Sequence, residues 1–183
     1  MEDRSVLGVG SVGISTMYFL SQNSSLPASS VLFVKSDLET NLKEKAKKSV
    51  PSQEKLDALT MLKEITQVNL FEHDDVPTEA VSTMSQNQRH YNIVGLGGKS
   101  GDFLLKLVAM QKKQQQQITT FCIMPFNFEG SARSKKAQYQ LEKIEGETIV
   151  LKNQDLLKET SNTATFEESF KIYHKLIEES ITT

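Results

Sequence analysis

Seven of the nine glycines fall in two short stretches, Gly8-Val9-Gly10-Ser11-Val12-Gly13 and Gly95-Leu96-Gly97-Gly98-Lys99-Ser100-Gly101. A loop that brings several backbone N–H groups within hydrogen-bonding distance of phosphate oxygens cannot carry Cβ atoms on its concave side, and it often needs positive φ; glycine meets both demands. Each stretch follows a short apolar run (residues 4–8 and 91–94) and precedes a helix-prone one (residues 14–21 and 103–110). A helix start adds unpaired N–H groups and the positive end of its dipole, so each strand, loop and helix unit is an anion site. Two such units on one sheet edge can share a single polyphosphate. The plainer alternative is that the glycines only make tight strand-to-helix turns.

Neither loop fits a simpler phosphate motif by itself. Gly8, Gly10 and Gly13 match Gly-x-Gly-x-x-Gly, but a dinucleotide fold also needs an acid near the end of its second strand; Asp37 is the candidate, after Lys35 and Ser36, and the second loop is left unexplained. Gly98-Lys99-Ser100 has the tail of a Walker A loop, yet the leading glycine belongs at position 93, where Ile93 stands.

The elements that must position these loops are legible as alternating patterns. Strands are expected at residues 4–8, 31–35, 91–94, 118–124 and 147–151, and helices at 14–21, 37–48, 77–88, 103–110, 133–143 and from Thr165 onward with Phe166, Phe170, Tyr173 and Ile177 on one side. Pro51 interrupts the second of these helices, and Ser52-Gln53-Glu54 can cap another that repeats Leu56, Leu59, Leu62 and Ile65 on one face. Residues 71–76 are acidic and carry no clear pattern, and the glutamine-rich residues 111–117 read as a solvated helix end. Alternation of strand and helix implies a parallel sheet with helices on both faces, ligands lying at the carboxyl ends of the strands.

Composition narrows the function. With 183 residues and 38% hydrophobic content, one domain is the expectation. Lys and Arg total 21 against 23 Asp and Glu, so no basic surplus points to nucleic acid. Apolar runs such as Ser30-Val31-Leu32-Phe33-Val34 fall far short of the roughly 20 residues that span a bilayer. Met1-Glu2-Asp3-Arg4 lacks the basic head of a signal peptide, and a cytoplasmic location is expected. The single cysteine, Cys122, sits in a buried-strand pattern and reads as core. His73 and His90 stand in polar surroundings without a ligand partner at workable spacing, so both read as surface histidines and no metal site is assigned.

After the strand at residues 118–123, Met124-Pro125-Phe126-Asn127-Phe128-Glu129-Gly130 resembles FtsZ, the bacterial tubulin-like division GTPase, which carries Pro-Phe-Asn-Phe-Glu-Gly at this point. The rest falls into register with that family. Gly8, Gly10, Ser11, Val12 and Gly13 are similar to its first phosphate loop; Gly97, Gly98, Lys99, Ser100 and Gly101 are similar to the tubulin signature Gly-Gly-Gly-Thr-Gly-Thr-Gly. The resemblance implies a Rossmann-like three-layer α/β/α parallel sheet of the tubulin/FtsZ nucleotide-binding-domain type. Residues 1–183 would form one such domain, ending in or just after the family's central helix. Glu129 matches the acid on the ribose, Arg133 the arginine that approaches the phosphates, Asn153 the asparagine carried to the guanine, and Phe170 the aromatic that stacks on the base. The plainer alternative for Glu129 and Arg133, over which the site reading is preferred, is an exposed i, i+4 ion pair at a helix start, and Phe170 reads equally as core.

The chain also departs from that pattern. Lys99 replaces a glycine, Asp102 a threonine and Phe103 the last glycine of the signature, Ile14 replaces an asparagine after the first loop, and residues 51–69 hold no counterpart of the Gly-Ala-Gly-Gly-Asn-Pro loop. His174 stands where the family has the aspartate that reads guanine, and neutral imidazole offers one acceptor where a carboxylate offers two, which relaxes the preference for guanine. The family's water-activating aspartates follow the helix in which this chain reaches Thr183, so no catalytic residue is nominated. The resemblance thus implies GTP or GDP binding, with Mg²⁺ on the phosphates, no stand-alone hydrolysis, and docking onto cytoskeletal filaments of cell division or self-association. The alternatives are a degenerate pseudo-GTPase that binds no nucleotide and acts as an interaction module, and a Rossmann-type dinucleotide enzyme.

Overall fold

The computed structural model describes residues 4–82, 84, 89–159 and 165–183. In chain order the elements are β1 (Arg4–Val9), α1 (Gly10–Gln22), β2 (Ser30–Val34), α2 (Leu38–Ala46), α3 (Val50–Glu64), β3 (Val68–Glu72), α4 (Thr78–Ser82) and β4 (Arg89–Gly95). They continue with α5 (Lys99–Lys113), β5 (Gln117–Met124), a 3₁₀ turn (Asn127–Glu129), α6 (Ser131–Lys143), β6 (Glu147–Lys152), α7 (Asn153–Glu159) and α8 (Phe166–Thr182). The six strands form one parallel sheet in the order β3-β2-β1-β4-β5-β6.

Strands buried on both faces send alternate side chains to two cores. Val6, Leu32, Ile93 and Phe121 meet Ile14, Met17, Leu59, Leu62, Tyr173 and Ile177, so α1, α3 and α8 cover one face. Leu7, Phe33, Val94 and Cys122 meet Val81, Leu104, Leu107 and Ala137, so α4, α5 and α6 cover the other. Cys122 is fully buried, which pushes its thiol up to about 12. The first helix can lie close to the sheet because Gly8 and Gly13 touch: a Cβ on Gly13 would stand 2.5 Å from the Gly8 carbonyl carbon. Thr165 and Glu168 close a capping box at the start of α8, the Glu168 N–H donating to Thr165 Oγ1 at 3.2 Å and the Thr165 N–H to Glu168 Oε2 at 2.8 Å.

Several elements differ from the sequence-based expectation. The strand β3 and the short helix α7 carry no clear pattern in the chain, and α1 and α5 begin at Gly10 and Lys99, inside the glycine stretches themselves. Pro51 does not break a helix but starts one, since a residue in the first turn needs no N–H partner; the cap of α3 is Ser49, not Ser52. Of the helix expected at residues 77–88, α4 supplies Thr78–Ser82, while 83 and 85–88 lie outside the described residues, as does the side chain of Phe166. The glutamine tract is not all solvated: Gln111 is fully buried and exchanges hydrogen bonds with Asn92 at 2.8 and 3.3 Å, and Gln116 donates to the carbonyls of Val81 and Met84. His90 is likewise no surface histidine, being fully buried in β4 with Nδ1 against the Ser5 hydroxyl.

Candidate functional site

The strand order reverses between β1 and β4, which is the crevice where open parallel sheets hold ligands. Both glycine loops leave the sheet at these neighbouring carboxyl ends, and they meet. Gly10 has φ +66°, and a Cβ there would stand 2.3 Å from Ser100 Oγ. No side chain caps the start of α1, whose cap position is Val9, or of α5, whose cap position is Gly98. Two uncapped helix starts therefore stand side by side, with Gly10, Ser11, Lys99 and Ser100 on the wall of a cavity of about 870 Å³.

The second loop is gripped from α6. Gln140, fully buried, accepts from the Gly97 N–H at 2.8 Å and donates through Nε2 to the Gly98 carbonyl at 2.9 Å and to Asp102 Oδ1 at 2.8 Å. Its amide lies where a Cβ on Gly101 would be. Asp102, the acid in the phosphate loop, is turned to Lys136 at 2.6 Å. Burial pushes its carboxyl up, but the hydrogen bonds from Lys136 and Gln140 outweigh that and hold it below the usual carboxylate range. Phe103 packs its ring on Phe33 of β2 at 5.2 Å, so the bulky residue forms cavity wall. Val12 and Gly13 lie in the first turn of α1, Val12 packing over Gly95.

The remaining predicted site residues lie beyond β5 and β6 and do not line this cavity. Glu129 accepts from the Phe126 N–H at 2.8 Å and pairs with Arg133 Nε at 3.1 Å, the i, i+4 arrangement. Phe170 meets Phe126 edge-on at 6.2 Å, and Phe126 stacks on the exposed Phe128 at 4.8 Å. His174 packs on Phe19 at 5.0 Å, and burial lowers its pKa to about 4. Asn153 is buried with Oδ1 lacking a hydrogen-bond partner, a condition shared by Thr16, Gln116 and Thr120 inside the core.

Sequence reasoning missed the far half of the cavity. It is built by residues 33–38, from the end of β2 into the start of α2, and by 73–75 after β3. There Asp74 accepts from Ser36 at 3.1 Å, and Lys106 pairs with Asp75 at 2.8 Å; the hydrogen bond from Lys106, then that from the Val76 N–H, lowers the Asp75 pKa. Among the described residues, Lys35, Asp37 and Lys99 form no ion pair, and no cluster of three or more His, Cys, Asp or Glu could hold a metal ion. Among them too, no helix is long and apolar enough to cross a membrane.

Comparison with solved structures decides the fold. FtsZ from M. jannaschii, solved as an empty dimer, superposes with a TM-score of 0.63 over 99% of this chain at 14% identity. This is the FtsZ/tubulin nucleotide-binding-domain fold. A W319Y mutant of the same FtsZ gives a TM-score of 0.66 over 97% of the chain at 15% identity, and GDP-bound CetZ1 from Haloferax volcanii 0.55 over 96% at 12%. The FtsZ-like chain spans about half of each, 54% of the two FtsZ chains and 58% of CetZ1. No protein-family profile and no curated protein matches the sequence.

Proposed function

We propose that this FtsZ-like domain binds the phosphates of a purine nucleotide, GTP or GDP among them, at the joined starts of α1 and α5, and carries out no hydrolysis on its own. The observation that carries the reading is the contact of Gly10 with Ser100 beneath two uncapped helix starts that open into one cavity. Backbone N–H groups and two neighbouring helix N-termini there suit a polyanion. Lys99 adds a cation without an ion-pair partner among the described residues, and Asp102 is neutralised by Lys136. The cavity volume lies within the roughly 300–1,000 Å³ of small-molecule sites. Of the acids lining the cavity, Asp75 and Asp102 are paired with lysines. Self-association or docking on FtsZ-like filaments belongs to the same proposal, supported by the FtsZ dimer among the similar structures.

Two sides of the phosphates can receive the nucleoside: the β5–β6 side, with Glu129, Arg133, Asn153, Phe170 and His174, and the β2–β3 side, where the cavity opens. Equilibrium titration with GTP, GDP, ATP and ADP, each with Mg²⁺, tests the reading. Saturable binding of at least one is expected; no binding by any at ~1 mM, a limit of about 4 kcal/mol, overturns it. Gln140 favours a second reading. Its Oε1 already occupies the Gly97 N–H, as it would in an interaction module that takes no nucleotide, and failure of all four titrations is the outcome that module predicts.

A further inference from the structure

We propose, resting on the reading that phosphates sit at the starts of α1 and α5, that Asp102 and Gln140 are positioning residues of that site. Asp102 orients the glutamine amide, and the amide holds the second glycine loop in the shape that takes the phosphates. By charge alone, an aspartate in the first turn of α5 and on the cavity wall is a fault in an anion site. The groups around it give it another use. The Gly98 carbonyl and the Asp102 carboxylate only accept hydrogen bonds, and the Gly97 N–H only donates. Gln140 answers all three in one orientation, with its NH₂ toward Gly98 and Asp102 and its oxygen toward Gly97. Turned over, it would set its oxygen against two acceptors and its NH₂ against a donor. Lys136 holds the other carboxylate oxygen, so the aspartate is itself fixed.

The grip reaches the phosphates through the backbone. Gly97 has φ +90° and lies so close to α6 that a Cβ there would stand 2.8 Å from the Arg133 carbonyl oxygen. A Cβ on Gly101 would overlap the Gln140 amide. The loop is thus held at Gly97, Gly98, Gly101 and Asp102, on either side of Lys99 and Ser100 on the cavity wall. The grip takes the Gly97 N–H. The N–H groups in the first turn of α5, which have no intrahelical carbonyl to bond and no side-chain cap, are left for the ligand. A loop already ordered when the ligand arrives loses less freedom on binding, and affinity rises accordingly. Gln140 and Arg133 share α6, so the same contact fixes the loop relative to that arginine.

Charge and position predict opposite signs for one variant. Asp102→Ala removes a negative charge beside the proposed phosphates and frees Lys136, so an acid that only repels the ligand would give tighter binding on removal. As a positioning residue, its loss should instead weaken the titrated affinity for GTP, GDP, ATP or ADP roughly fivefold or more. Asp102→Asn, which keeps an oxygen for the amide, should recover most of that loss. The Asp102 side chain is half exposed, so alanine there leaves the fold standing. Gln140→Met fills the space without a hydrogen bond and should weaken affinity by a similar factor. In Asp102→Ala and Gln140→Met without ligand, NMR should show the Gly97 amide exchanging with solvent roughly tenfold faster or more, with the Ile93 amide in β4 unmoved. Binding as tight as the parent chain or tighter in Asp102→Ala overturns the inference and leaves the phosphate reading intact. So does an asparagine that recovers nothing, or exchange unmoved in both variants. Flat titrations of the parent chain remove the phosphate reading and this role with it, even where exchange at Gly97 quickens.

Discussion

A buried imidazole is poorly placed to carry charge, and burial accordingly lowers the His174 pKa to about 4 in the folded chain against an ordinary 6.5. Between these values the unfolded chain binds more protons, so the contribution of this residue is complete above about pH 6.5 and is lost as pH falls through about 4, by up to about 3 kcal/mol. His174→Phe should flatten this acid limb. Urea unfolding of both proteins at pH 4.5 and 7 measures it, and an equal loss in the two would show the ring is not responsible. Glu39, held down to about 2 by hydrogen bonds from Lys43 and then Lys63, acts lower on the scale, its contribution fading between about 4.5 and 2. Residues differed in legibility for a physical reason. Glu129 at the end of the 3₁₀ turn and Arg133 in the first turn of α6 are four apart in the chain, so their pairing is written locally; nothing local tells whether a ligand also claims them. Lys35 and Asp37 were seen only as a poor dinucleotide signature, because the wall they share with Phe103 is made by chain more than sixty residues away.

Helix α5 carries half of the proposed phosphate site, and its seat on the sheet includes a buried amide pair, Asn92 of β4 with Gln111. Asn92→Leu leaves the Gln111 amide unpaired and should cost about 1–3 kcal/mol, whereas the double variant Asn92→Leu, Gln111→Met should recover most of that. Guanidinium unfolding of the singles and the double measures the coupling; additive losses would mean the pair contributes nothing. Burial of this glutamine was illegible because its partner lies in strand β4 beneath the helix, not along the helix. Strand β3 was missed for another reason. As an edge strand its residues are partly exposed, so Val68-Asn69-Leu70-Phe71-Glu72 shows no run of apolar residues. The central strands, buried on both faces, read directly as apolar runs.

Across the molecule, α1 lies on one face of the sheet and α5 on the other, so a polyphosphate held at both starts would fasten the two layers together at their common edge. Binding to the folded state alone stabilises it by mass action, about 2.7 kcal/mol at a hundredfold excess over Kd. For a chain of this size that is a rise of roughly 5–10 °C in Tm. Scanning fluorimetry against nucleotide concentration should show a midpoint that climbs with the logarithm of concentration; a flat midpoint would support the interaction module. The layered parallel architecture was readable from the alternation of patterns, and the resemblance extended along nearly the whole chain, as do the superpositions. The order of strands was not, since periodicity records which face a residue takes and not which neighbour a strand chooses.

The embrace of Gly8 and Gly13 also bears on what such a loop can tell a reader of genomes. Each leaves no room for even a methyl group on the other, whatever sits outside. A lineage that abandoned its ligand would therefore go on inheriting both glycines, held by the joint between strand and helix long after the chemistry they advertise had gone.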